Sequence, residues 1–177
     1  MASVLSLFAW AVVLINALTL TLVAVLVTPR SRKISSVRRV RSMAGSFSVA
    51  LAIAATLASL YLSEIGDLVP CPWCWIQRAA MYPLALVLLI AWLIRDHLVR
   101  RYAIPISLLG LAASTWHYLL QQVPSLSDSQ SCSLTTPCSV TYIEKFGFVS
   151  VPWMAGSVFL LILLLLAGFR SNEGRIG

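Results

Sequence analysis

The sequence predicts an all-α membrane protein. Three observations predict it: scarce charge, five long uncharged runs, and basic residues gathered between those runs. Of 177 residues, 59% are hydrophobic and 11% charged, against about 25% charged in a typical soluble domain. Mean hydropathy is +0.89. A water-exposed globular surface is excluded, and the length suits one membrane domain with spans of roughly 20 residues each. Helices and closed barrels are the structures that satisfy backbone polar groups in lipid. Continuous apolar runs without period-two alternation select helices.

The first expected span is Val4 to Val27 and the second Ala44 to Ser63. Arg78 and Arg95 bound the third, leaving Ala79 to Ile94. That run falls short of roughly 20 residues, so the helix is expected to begin further back, near Pro72. Tyr102 to Val123 is the fourth span and Phe146 to Phe169 the fifth. Ahead of the last, Tyr142 to Phe146 is amphipathic and suits an interfacial segment, with the chain entering the membrane near Pro152. The first run competes with a signal peptide, but no basic region precedes it and its flanking charge follows it, so a retained span is expected.

The net charge of +7 raises the question of nucleic acid, and its placement answers it. Arg30, Arg32, Lys33, Arg38, Arg39 and Arg41 lie in the first connection, Arg95, Arg100 and Arg101 in the third, and Arg170 and Arg175 in the tail. These alternate connections hold all the basic residues but Arg78 and Lys145, whereas Glu64, Asp67, Asp128 and Glu144 lie on the other side. Short loops rich in Lys and Arg stay cytoplasmic, so the N-terminus is expected outside and the C-terminus inside. Basic residues divided among short loops orient the protein and attract anionic lipid; they do not form a nucleic-acid surface.

All four cysteines then fall on the outer side. Cys71 and Cys74 precede the third span and Cys132 and Cys138 the fifth, as C-x2-C and C-x5-C. Thiols outside a bacterial membrane meet an oxidising environment. Three readings compete. A four-thiolate zinc site uses C-x2-C spacing, but such ligands usually come from tight knuckles in soluble domains. Inert disulfides are less needed where lipid and helix packing hold the spans. Redox chemistry is the third, and the local residues favour it.

In Pro70-Cys71-Pro72-Trp73-Cys74-Trp75-Ile76-Gln77-Arg78, proline at the first helical position would make Cys71 the cap. Cys74 then occupies the first turn, where the dipole favours a thiolate. Arg78 is four residues past Cys74 and seven past Cys71, which puts all three on one face. A guanidinium there favours a thiolate and can hold a carbonyl oxygen; the competing role is a headgroup anchor. Trp73, Trp75 and Trp153 read as interfacial belt residues before pocket residues. The second pair encloses Ser133-Leu134-Thr135-Thr136-Pro137 after a serine-rich stretch, and exposed disulfides in such loops are exchange-prone.

These stretches, with HYLLQQVP at 117–124, CSLTTPCSV at 132–140 and FGFVSVPW at 146–153, resemble the DsbB family of membrane disulfide-forming thiol oxidases, in particular its shorter BdbC-like branch. The resemblance covers about residues 46–170. It implies a DsbB-like four-helix transmembrane bundle, here with one extra N-terminal transmembrane helix. It also implies a DsbA-like thioredoxin-fold thiol oxidant as partner and a membrane quinone (ubiquinone or menaquinone) as cofactor. By position, Cys71 and Cys74 resemble the pair beside the quinone, Arg78 the arginine that contacts it, and His117 a histidine near it. Cys132 and Cys138 resemble the pair that exchanges with the partner. The expected organisation is an extra helix and basic cytoplasmic loop over 1–43, the DsbB-like domain over 44–170 and a cytoplasmic tail over 171–177, in a bacterial cell (inner) membrane. The extra helix is either a peripheral element or a partner-docking one.

The implied route runs from partner thiolate to Cys132, from the freed Cys138 to Cys71, and from the released Cys74 to the quinone. The alternatives are a quinone reductase like vitamin K epoxide reductase, in which the loop pair precedes the membrane motif, and a non-catalytic scaffold with structural disulfides. The C-x2-C pair comes first here, which favours the DsbB-like order. Few ionisable groups fall within the spans, so no transport path is evident.

Overall fold

The computed structural model describes residues 2–27, 35–96, 98–123 and 150–168, with side chains over 6–25, 43–96, 98–123 and 150–168. Among the described residues five helices run in order: α1 (Ala2–Val27), α2 (Ser35–Glu64), α3 (Pro72–Leu93), α4 (Arg100–Gln122) and α5 (Val151–Gly168). Each is long and apolar enough to cross a membrane, and no strand occurs among the described residues. The all-α membrane architecture read from the sequence is the one observed.

Two helix starts differ from the apolar runs. α2 begins at Ser35 rather than Ala44 and carries Arg38, Arg39 and Arg41 within it. Arginine is a good helix former, so loss of apolarity marks where lipid ends and not where the helix does. The membrane-length part of that helix is Met43–Glu64. α5 begins at Val151 rather than Phe146, with Pro152 in its first turn; residues 146–149 lie outside the described set. α3 starts at Pro72 as expected, since proline gives up an N–H that a first turn leaves open.

The helices α2 to α5 close a ring. α3 packs on α2 and α4, α4 on α5, and α5 back on α2. Side-chain pairs fix the directions. Arg78 meets Ser59 while Trp92, further along α3, meets the earlier Ser46 of α2, so these helices are antiparallel. The core inside the ring is apolar, with Ala52, Leu84, Leu88, Ala103, Phe159 and Ile162 among its buried members. α1 packs outside the ring against α5, burying Ala9, Val12, Thr19 and Leu22. Its Phe8 ring meets Tyr61 of α2 edge-on, with centroids 6.1 Å apart.

The α4–α5 contact rests on small residues. Ala103, Ser107, Gly110 and Ser114 form a buried stripe at helical spacing that continues to His117. Between membrane helices, where lipid is as apolar as the partner, such stripes allow the close packing that holds helices together. The serine hydroxyls donate within their own helix, Ser107 to the Ala103 carbonyl and Ser114 to that of Gly110, both at 2.8 Å. Phe159 fills the space left at Gly110: a Cβ added there would stand 2.3 Å from the ring. An alanine gains about 1 kcal/mol of helix propensity, whereas overpacking a fixed core costs typically 1–3 kcal/mol. Gly110→Ala is therefore expected to lower the thermal midpoint in lipid nanodiscs, and Phe159→Leu in that background to recover part of the loss. Equal midpoints for Gly110→Ala and the parent would show that the ring is not a fixed obstacle.

Candidate functional site

The site begins at the head of α3. The first N–H groups of a helix have no partner inside it. Here the Cys71 sulfur, at the N-cap in extended conformation, accepts the Cys74 amide at 3.3 Å. The Cys74 sulfur returns to within 2.8 Å of Cys71 Sγ. Both residues are thiols, close enough to close a disulfide with a small rotation. The first-turn amide thus goes to Cys71, because a cap side chain faces the open N–H groups and one in the third helical position does not. The Cys71 thiol is held well below its ordinary value. The hydrogen bond from the Cys74 thiol is the leading cause; burial opposes it, and the His117 ring and the Cys74 amide add to it.

His117 arrives from the far end of the small-residue stripe on α4. It is 2% exposed, with Nε2 3.5 Å from Cys71 Sγ. Its Nδ1 lies 2.9 Å from the side-chain nitrogen of Gln77. An amide nitrogen only donates, so Nδ1 accepts and the ring proton sits on Nε2, facing the sulfur. Gln77, itself buried, therefore sets the tautomer that supports a thiolate at Cys71.

Arg78 is anchored across to α2. Its Nε donates to Ser59 Oγ at 3.0 Å and Nη2 to the Ser59 carbonyl at 2.9 Å. The guanidinium also lies 5.4 Å from the centre of the Trp75 ring, a cation–π arrangement. These contacts use two of five donors.

Cys71, Cys74, Gln77, Arg78 and His117 line one cavity of about 310 Å³. Its remaining wall is largely apolar, from Phe8 on α1 through Ala54, Ala55 and Ala58 on α2 to Met154 and Phe159 on α5. An apolar cavity with a few converging polar groups is the usual form of a small-molecule site. Gln121 also lines it, and its side-chain oxygen is buried without a hydrogen-bond partner among the described residues. Trp73, Trp75 and Trp153 are not part of the wall; Trp75 is exposed and Trp153 packs on Tyr118 with centroids 5.2 Å apart.

Cys71, Cys74 and His117 also present three potential metal ligands within 4.8 Å of one another. Zinc with bonds of about 2.3 Å to sulfur in tetrahedral geometry would hold two thiolates roughly 3.8 Å apart. The two sulfurs stand 2.8 Å apart, closer than that spacing and nearer the approach that precedes a disulfide.

The structure thus brings together Cys71, Cys74, Arg78 and His117 from the residues picked out in the sequence. Cys132 and Cys138 lie outside the described residues. Sequence reasoning passed over Gln77 and Gln121, although both stand in the stretches quoted above. Their signal was an amide within a membrane-length apolar helix, where polar side chains are costly and commonly functional.

The DsbB family model, described as disulfide bond formation protein DsbB, matches residues 41–169. Disulfide bond formation protein C of Bacillus subtilis is 43% identical over 70% of this chain and 89% of its own length. A probable disulfide formation protein C of Halalkalibacterium halodurans is 43% identical over 69% of this chain and 88% of its own. A probable disulfide formation protein of Oceanobacillus iheyensis is 40% identical over 70% of this chain and 86% of its own length. No solved structure matches the chain at a significant level. Since the family match takes in the membrane-length parts of α2 to α5 and with them both thiols and His117, the chain belongs to the DsbB family and serves disulfide bond formation at the membrane.

Proposed function

We propose that this protein is a membrane thiol–disulfide oxidoreductase that reoxidises a DsbA-like thioredoxin-fold oxidant and passes the electrons to a membrane quinone. One observation carries the reading: a thiol pair at a helix head opens on an apolar cavity that Arg78 and His117 also line. The cavity fits such an acceptor. Its walls suit a ring and apolar tail, Arg78 keeps donors for a carbonyl oxygen, and the orphaned Gln121 oxygen awaits a hydroxyl. A bound quinone would supply a two-electron, two-proton acceptor.

The residues divide the work as follows. A partner thiolate attacks the Cys132–Cys138 disulfide at Cys132, and the second partner thiol resolves the mixed disulfide. The partner leaves oxidised, with Cys132 and Cys138 reduced. Cys138 then attacks Cys71 in the Cys71–Cys74 disulfide and releases the Cys74 sulfur. Cys132 resolves that link, which restores the outer disulfide and leaves Cys71 and Cys74 as the dithiol. Closing their disulfide again gives up two electrons and two protons. His117 Nε2–H supports the Cys71 thiolate while the pair is reduced, and a sulfur with a low pKa leaves faster, which favours release of Cys71 when Cys132 resolves its link to Cys138. In this topology the N-terminus and both cysteine pairs lie outside a bacterial cell membrane, with the C-terminus in the cytoplasm. Basic residues gathered in alternate connections support that orientation.

Purified protein in nanodiscs is expected to reduce quinone only when a reduced thioredoxin-fold partner is supplied. Cys74→Ser should abolish this turnover; a normal rate in that variant would contradict the scheme. Arg78→Ala is expected to weaken quinone use by about tenfold or more, on the scale of a lost charged hydrogen bond, while partner exchange persists. Ser59→Ala separates the anchoring role, because it loosens the guanidinium without removing it. Quinone dependence unaltered in Arg78→Ala would remove that residue from the site.

The lowered Cys71 thiol yields a pH signature. A depressed pKa keeps the thiolate as pH falls, so alkylation of Cys71 in the reduced protein should persist below the ordinary thiol range. His117→Ala removes a donor to that sulfur and should move the midpoint upward by about one pH unit. Gln77→Leu should move it in the same direction by freeing the ring. Mass spectrometry of alkylated peptides reads both, and a midpoint unmoved by His117→Ala would show that the ring does not support the thiolate.

A further inference from the structure

The cavity wall contains a helix that the family match does not include. Residues 41–169 carry the match, and α1 ends at Val27. Yet Phe8, Ala11, Val12 and Ile15 all line the cavity that holds Cys74 and Arg78. Their spacing of three, four and seven residues defines one helix face. The adjoining face meets the surroundings, with Leu7, Trp10 and Leu14 at 65%, 59% and 69% exposure, and Ala11, also exposed, stands at the border between the two. α1 is therefore a two-faced helix, one side dressed for lipid and the other for the cavity.

The position of α1 gives that wall its meaning. It packs on α5 and reaches α2 through Phe8 and Tyr61, so it covers the junction between those two helices. Both helices line the cavity with small residues, Ala54, Ala55 and Ala58 of α2 and Ala155 of α5, beside larger ones such as Leu51 and Met154. With α1 removed, this shallow junction would face hydrocarbon and the dithiol cavity would open sideways into the bilayer. The four α1 residues bring no ionisable group, so they contribute shape and not chemistry.

We propose that α1 is a specificity wall of the acceptor site, where Phe8, Ala11, Val12 and Ile15 limit the ring and tail of the lipid-dissolved quinone admitted beside Cys74. This deepens the quinone reading and rests on it. Ala11 is the position to vary, since it lines the cavity with the smallest side chain of the four and is itself exposed, so added bulk has room there.

The test uses the full chain in nanodiscs, with decylubiquinone and menaquinone-4 as probes. In Ala11→Cys, site-resolved alkylation by N-ethylmaleimide is expected to slow at least fivefold when a quinone reduced by the parent is added. Leu14→Cys, on the lipid-facing side, should be unprotected. Ala11→Phe should raise KM for menaquinone-4 at least tenfold and for decylubiquinone by less, with KM for the partner thiol unchanged. No protection at Ala11→Cys, or quinone KM values unmoved in a folded Ala11→Phe, would overturn the proposal while leaving electron transfer to quinone intact. Protection at Ala11→Cys in a parent that reduces neither quinone would support the wall and sink the electron-transfer reading. Loss of both would sink both.

Discussion

A helix that starts at the edge of hydrocarbon leaves backbone N–H groups where water is scarce, and in this protein a cysteine sulfur takes one of them. Cys71 caps α3 by accepting the Cys74 amide, and the same hydrogen bond favours negative charge on that sulfur. Helix initiation thus shares a contact with the thiol chemistry, to which the Cys74 thiol contributes most and the His117 ring also adds. Pro72 enforces it by starting the helix without an N–H of its own, which leaves the cap position to Cys71. The spacing of a C-x2-C pair then returns Cys74 to the first sulfur after less than one turn.

The packing of the bundle delivers the remaining groups to that contact. The small-residue stripe on α4 seats Phe159 at Gly110 and carries His117 inward to the depth of Cys71. Phe159 is at once a core residue and part of the cavity wall, so core and site share atoms. Gln77 and Arg78, adjacent on α3, do different work. One holds the His117 ring and the other ties α3 to Ser59 of α2. Each of these two side chains thus bonds to a neighbouring helix. The interhelix contacts that orient the site are also those that fix the antiparallel register.

The cavity divides along the same lines. Its polar groups come chiefly from α3 and α4, whereas α1, α2 and α5 supply mainly aliphatic and aromatic surface. Such a division suits a ligand with a polar ring end and an apolar body. It also gives α1 a place in the site that its separation from the family match would not indicate.

The membrane class, the five membrane-length helices among the described residues and the start of α3 were legible in the sequence, because these follow from local properties: scarcity of charge, length of apolar run, and the proline after Cys71. The grouping of Cys71, Cys74 and Arg78 was legible for the same reason, since helical spacing places them on one face. His117 was recognisable through the family resemblance alone, though the buried stripe from Ala103 to Ser114 encodes its inward direction. Gln77 looked like one more amide in an apolar helix. That Gln77 orients the histidine, that Arg78 is anchored to α2 and that α1 lines the cavity emerged with the packed helices. Each of these depends on which helices are neighbours and at what rotation. Periodicity along one chain segment names the face a helix buries, but not the helix that will cover it.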